Sequence, residues 1–316
     1  MPALVCARCK QALGGSYITA MNRSWHPQCF TCARCGKSLS DVVFIEKDDQ
    51  PYCQADFLAL FGIKCSVCGN YIDGTYVKNF WNDTYCTRHA GELPACFNCG
   101  RPVSALLTRG GVDFGDGRVC CNICKPKIIG EQEVNQRVLP RLVEFFKYYE
   151  LPLTDLISGV PVHLVNAREI SQQIKGDSLH PVTGLIRKII VTQDIIRNGV
   201  VVGQQQAKKI KEILALNGLT EINVTGVIAH EIGHAYMFAH DFPDMPPVVE
   251  EGMAELFAFL WLKSRKGPEV AYQLYKLENN DSEIYGAGYK RAREYMGDKG
   301  FWALLNYVKK NAKFPI

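Results

Sequence analysis

The chain has 316 residues, 47% of them hydrophobic and 22% charged, which is the composition of a globular protein of two or three domains and excludes a disordered or fibrous one. Its formal charge of +4 divides evenly, +2 in residues 1–124 and +2 beyond, with no Lys/Arg-rich run, so no nucleic-acid partner is expected. No apolar run approaches the ~20 residues of a membrane span, so no membrane partner is expected either.

All fourteen cysteines lie between Cys6 and Cys124. The chain reaches Cys6 at once, which leaves no length for a secretory leader, and a cytoplasmic or nucleocytoplasmic location is expected. Closely spaced cysteine pairs in such a setting read as zinc sites and not as disulfides.

The first block runs Cys6-x2-Cys9, His26-x2-Cys29-x2-Cys32-x2-Cys35 and Cys53-x2-Asp56. Zinc takes four ligands in a tetrahedron, and a two-residue gap lets a tight knuckle present two of them to one ion. The order makes two sites, Cys6, Cys9, His26 and Cys29, then Cys32, Cys35, Cys53 and Asp56. Trp25 precedes the histidine and Phe30 falls between the sites, the pattern of a LIM domain, expected over residues 1–60. The second block is less regular: Cys65, Cys68, Cys86 and His89 form one set, and Cys96, Cys99, Cys121 and Cys124 another. Six residues separate His89 from Cys96 where a LIM domain has two, so residues 61–126 are expected to be LIM-like. Cys120 is left over. It is either a small buried hydrophobe or a poorer-spaced substitute for Cys121. Four such zinc ions are structural: they supply folding energy and no chemistry.

From Lys125 onward the sequence contains no cysteine. Residues 128–151 carry apolar side chains at helical spacing, with Pro140 expected to kink the helix and Pro152 and Pro161 to punctuate its exit. Residues 161–165 and 185–191 read as strands, while 208–217 is ambiguous between helix and strand up to the Asn217–Gly218 break. Asn223 is expected to cap the next helix, which carries His230-Glu231-Ile232-Gly233-His234. Histidines at i and i+4 share one helix face and can reach one metal ion, and Glu231 beside them is placed to accept a proton from water.

A third protein ligand is required. His240 stands six residues after His234, but Met237 replaces the glycine that would break the helix, and on a continuing helix His240 faces away. Glu251, in Val249-Glu250-Glu251-Gly252, is the expected ligand once Pro243, Pro246 and Pro247 turn the chain back; Glu250 or Glu255 could substitute. Downstream, Tyr285-Gly286-Ala287-Gly288 puts Tyr285 in a glycine-flanked turn, from which it could hold an oxyanion.

A LIM domain, a LIM-like domain and an HExxH helix in this order resemble the plant family of ubiquitin-activated LIM-domain peptidases that limit organ growth. The motifs that carry the resemblance are the ligand sets above, Ala229–His234, Val249–Gly252, Tyr285–Gly288 and the terminal Phe314-Pro315-Ile316. It implies a multidomain protein whose zinc-stapled LIM and LIM-like modules precede an α+β zincin of gluzincin type over residues 127–316. It implies one catalytic zinc beside the four structural ones, and a peptidase acting on protein substrates of the ubiquitin pathway, with ubiquitin or ubiquitylated proteins among its partners. The chain is expected to be a short relative, since no ubiquitin-interacting motif precedes Cys6. The other function class left open is a LIM adaptor with a silent peptidase fold.

Overall fold

A computed structural model describes residues 4–151, 153–173, 182–197 and 200–315; Pro152 and Ile316 lie outside them. The chain forms two compact units, residues 1–93 and 94–316.

The first unit is built on short hairpins, β1 (Ile18–Ala20) with β2 (Arg23–Trp25), β3 (Phe44–Lys47) with β4 (Gln50–Cys53), and β5 (Tyr76–Lys78) with β6 (Thr84–Cys86). Helix α1 (Gln54–Phe61) follows β4 and places Asp56 in its first turn. The two-residue turns Met21–Asn22 and Asp48–Asp49 have positive φ at both positions, the type I′ geometry that matches strand twist. Trp25, Phe30, Cys32 and Leu39 make the buried apolar cluster, with the Trp25 and Phe30 ring centroids 5.5 Å apart. So small a core needs its knuckles stapled.

The second unit opens with the last cysteine set, Cys96 and Cys99 in one turn, Cys121 at the end of β8 (Val119–Cys121) and Cys124 in the turn after it, with α2 (Ala105–Thr108) and β7 (Gly111–Asp113) between the two pairs. The two compact units part inside the long spacer between His89 and Cys96. The physical reason is that residues 96–124 hydrogen-bond into the C-terminal half, as Asn98 does to Gly218 and Arg118 to Asn217.

Helix α3 (Glu131–Glu133) runs through a π turn at Val134–Val138 into α4 (Leu139–Tyr148). Leu139 N–H bonds to Val134 O, five residues back. This wide turn accommodates Pro140, whose nitrogen cannot donate and whose ring would crowd the preceding turn, so a π turn stands where a kink is expected. After α5 (Thr154–Ile157) come β9 (Val162–Val165), α6 (Ala167–Gln173), β10 (Gly184–Arg197) and β11 (Val200–Leu216). The sheet order is β10-β11-β9, antiparallel between β10 and β11 and parallel between β11 and β9.

The ambiguous segment 208–217 is therefore strand as far as Leu216. Its helix-like spacing has a cause: the register skips from Arg187↔Glu212 to Lys188↔Ile210, leaving Lys211 as an unpaired bulge. The bulge resets the alternation, so Ile210 and Ile213 are both buried.

Five helices close the unit: α7 (Glu221–Ala239), α8 (Pro247–Lys263), α9 (Pro268–Glu278), α10 (Tyr285–Lys299) and α11 (Phe301–Asn311). Helices α7 and α8 are apolar nearly all round and fill the centre of one hydrophobic core. Asn223 is not the N-cap of α7. Thr220 holds that position, and Asn223 lies one turn inside, buried, with its side chain bonded to Asn98. Among the described residues no helix is long and apolar enough to cross a membrane.

Candidate metal centre

Helix α7 runs unbroken through Met237 and ends at Ala239, so His230 and His234 sit one turn apart on one face. The chain reverses through Pro243, Pro246 and Pro247 into α8, which packs antiparallel to α7: Glu250 meets His234, while Glu255 meets His230. Between them, Glu251 Oε2 lies 3.1 Å from His230 Nε2 and 3.5 Å from His234 Nε2, and the two Nε2 atoms are 3.2 Å apart. A tetrahedral ion with ligand bonds of about 2.0–2.1 Å has edges of about 3.3 Å. The three donor atoms therefore fit one face of a zinc coordination shell. His240 is outside this cluster; its ring stacks on Tyr236 at 4.2 Å between centroids.

The other nitrogen of each imidazole faces a carboxylate. His234 Nδ1 is 3.0 Å from Glu250 Oε1, and His230 Nδ1 is 3.7 Å from Glu255 Oε2. Lys188, on β10, reaches Glu250 at 3.5 Å. Burial opposes charge on His230, yet Glu255 and Glu251 outweigh it and push the imidazole well above its usual value. This negative surround, enclosing two imidazoles, suits a dication.

Glu231 is buried, 5% exposed, and burial raises its carboxyl above the usual range, with Glu251 adding to the rise and the histidines opposing it. A glutamate shifted in this direction is suited to general-base work. The start of β10 covers it. A Cβ at Gly184 would stand 2.6 Å from Glu231 Oε1, so only glycine lets the strand approach this closely.

Tyr285 is not in a turn. It begins α10, and its ring lies 6.4 Å from that of His230. Burial raises its hydroxyl pKa to about 12, with Glu251, Glu255 and Glu231 contributing, so it is a proton donor at neutral pH. Tyr289, one turn on, donates to Glu278 at 2.9 Å and is committed there. The glycines of this segment serve packing: α10 crosses α8 so closely that a Cβ at Gly252 would stand 2.4 Å from the Gly288 carbonyl carbon.

The other ligand sets are also gathered, each with its donor atoms within 4.8 Å of one another: Cys6, Cys9, His26, Cys29; Cys32, Cys35, Cys53, Asp56; Cys65, Cys68, Cys86, His89; and Cys96, Cys99, Cys121, Cys124. Sulfur pairs such as Cys99–Cys121 at 3.8 Å and Cys35–Cys53 at 4.0 Å match the edge of about 3.8 Å expected for bonds of about 2.3 Å. Cys120 stays out of the last set, buried and hydrogen-bonded to Asn98 Nδ2 at 3.5 Å. Sequence reasoning missed Gly184, Lys188 and Asn98. Only Gly184 carried a signal, a glycine opening an Ile/Val-rich strand, which marks close approach.

The LIM domain family matches residues 6–61, and the DA1-like family, described as Protein DA1, matches residues 180–274. Protein DA1 of Arabidopsis thaliana is 24% identical, over 99% of this chain and 68% of its own length. The LIM domain-containing protein HDR3 of Oryza sativa subsp. japonica is 23% identical over 99% of this chain and 74% of its own. Protein DA1-related 2 of Arabidopsis thaliana is 26% identical over 99% and 70%.

Proposed function

On the premise that the DA1 family fits this chain from its LIM domain through its DA1-like domain, we propose that it is a zinc-dependent endopeptidase of gluzincin type with a regulatory role. The observation that carries the reading is the convergence of His230 Nε2, His234 Nε2 and Glu251 Oε2, at 3.1–3.5 Å from one another, beside a buried Glu231. Two imidazoles and one carboxylate are a catalytic zinc set with a position left for water or substrate. Zinc held there supplies Lewis acidity, polarising the scissile carbonyl and acidifying water.

The chain's own residues do the rest. Glu231 accepts the proton from the attacking water and returns it to the leaving amine. Tyr285 donates a hydrogen bond to the oxygen that gains negative charge. Glu250 accepts from the His234 Nδ1–H, and the Glu255 charge, 3.7 Å from His230 Nδ1, favours the proton on that nitrogen, so both leave Nε2 free to ligate. Gly184 and β10 shield Glu231 from bulk water.

In this reading residues 1–60, 61–93 and 94–316 are the working modules, the first two recruiting protein partners and substrates. Ubiquitin or ubiquitylated proteins as those partners rest on the resemblance in the motifs. Cytoplasmic or nucleocytoplasmic residence goes with it, because thiolate zinc sites suit a reducing compartment.

Glu231→Gln tests the proposal. It is expected to retain about five zinc ions per chain and the fold while losing most cleavage, because an amide cannot take up the proton. Newly formed protein termini, compared between wild type and this variant by proteomics, identify substrate and cleavage site. Undiminished cleavage by Glu231→Gln removes the assigned base. About four zinc ions in the wild type, with no cleavage, leaves an adaptor with a silent peptidase fold.

A further inference from the structure

The last cysteine set lies in the same compact unit as the HExxH helix and grips the segment that leads into it. Asn98, between Cys96 and Cys99, is 3% exposed. Its Oδ1 accepts from the Thr220 backbone N–H and from Asn223 Nδ2, both at 2.9 Å. Its Nδ2 donates to Gly218 O at 3.0 Å. Its backbone carbonyl accepts from Asn223 Nδ2 at 3.1 Å and Gln273 Nε2 at 3.4 Å. Thr220 makes no side-chain cap of its own, so Asn98 anchors this helix start from outside. A second grip comes from Arg118, next to β8. It donates to Asn217 O at 2.7 Å and to Asn217 Oδ1 at 2.6 Å. Asp116 and the rings of Phe97 and Phe114 hold its guanidinium in place.

We propose that this fourth zinc knuckle positions the catalytic helix, and that Asn98 is the positioning residue through which it acts. A knuckle's conformation is set by its metal, so the tetrathiolate site fixes where Asn98 stands. Asn98 fixes residues 218–223, and Asn223 is seven residues, about two helical turns, before His230 on a stiff, buried helix. The coupling is reciprocal: what the knuckle does for the helix, the helix does for zinc retention in the knuckle. Zinc at Cys96–Cys124 thereby belongs to the active unit and not to a separate recruitment module.

Only the kinetic part of the test rests on the peptidase reading. In the full zinc-loaded chain, chelator-driven zinc release is followed site by site by hydrogen-exchange mass spectrometry of residues 96–124, with residues 65–89 as internal control. Asn223→Ala removes both bonds to Asn98 and is expected to speed release from the fourth site about tenfold, the worth of one to two such bonds. The third site should be unchanged, and amides of residues 219–226 should exchange faster. Asn98→Ala should do the same and lower kcat with KM unchanged, while Asn98→Asp, which keeps the acceptor for Thr220 and Asn223 but loses the donor to Gly218 O, should restore kcat in part. Release and exchange rates equal to wild type in Asn223→Ala overturn the proposal whatever the cleavage result. If Asn98→Ala does not fold, Asn223→Ala alone decides it. Faster release in Asn223→Ala together with an inactive wild type upholds the coupling and overturns only the peptidase reading.

Discussion

Gly252→Ala is the most direct probe of how the centre is assembled. A Cβ at Gly252 would lie 2.4 Å from the Gly288 carbonyl carbon and 2.6 Å from its oxygen, against an ordinary contact beginning at 3.4 Å. Both atoms are helix backbone and cannot swing aside, so α8 and α10 must separate by about 1 Å, overpacking that costs about 1–3 kcal/mol. The displacement acts at the proposed active site, because Glu251 adjoins the substituted residue and Tyr285 begins the helix pushed away. A misplacement of about 1 Å costs on the order of a hundredfold in rate. Gly226→Ala is the control: it lies inside α7, where an added methyl group would meet nothing within 4 Å, and is expected to stabilise by about 0.5–1 kcal/mol. Calorimetry and competition for zinc against a chelator measure both variants. Wild-type melting temperature and zinc affinity in Gly252→Ala would refute the close-crossing account.

Glu251→Ala is expected to bind about four zinc ions by elemental analysis where His240→Ala binds about five, because only Glu251 shares the cluster with both histidines. Equal stoichiometry in the two variants contradicts this. Tyr285→Phe should lower kcat about a hundredfold with little change in KM, as for loss of one oxyanion donor. Since the Tyr285 pKa is raised to about 12, its hydroxyl stays protonated throughout the neutral range, and no loss of activity below about pH 10 should trace to it. An alkaline limb near pH 8 that vanishes in Tyr285→Phe would contradict the assignment.

The gathering of these side chains is legible because each set is written in local spacing: two-residue knuckles, and two histidines one helical turn apart. The missing glycine at Met237 also reads correctly as a continuing helix, since that depends only on local propensity. What the sequence does not disclose depends on contacts between distant segments. Asn223 has the chemistry of an N-cap, but Asn98 draws its side chain into a buried network 125 residues away in sequence. Residues 208–217 keep a helix-like apolar spacing because a bulge at Lys211 shifts the alternation, which only the partner strand reveals. The glycines after Tyr285 suggest a flexible turn, whereas Gly288 is there to let two helices touch. The place where the units part leaves a trace, the six-residue spacer before Cys96, but not which side the last knuckle joins.

Three glutamates on α8 compete in the sequence for one place at the proposed metal, and the nitrogen each one faces separates the roles proposed for them. Glu251 faces both Nε2 atoms; Glu250 faces His234 Nδ1 and Glu255 faces His230 Nδ1. An imidazole that donates Nδ1–H to a carboxylate keeps its Nε2 lone pair available and becomes a stronger ligand. The two outer carboxylates are unequal. Glu250 stands at 3.0 Å, a true hydrogen bond, whereas Glu255 at 3.7 Å acts mainly through its charge. Removing such a partner lowers metal affinity about 10- to 100-fold. Glu250→Ala is therefore expected near the top of that range and Glu255→Ala near the bottom, with the zinc count unchanged at saturating metal. Zinc competition titrations of the two variants check the order. The outcome that defeats the assignment is a Glu250→Ala chain that holds zinc as tightly as wild type, for then the tautomer of His234 is fixed by something other than this carboxylate.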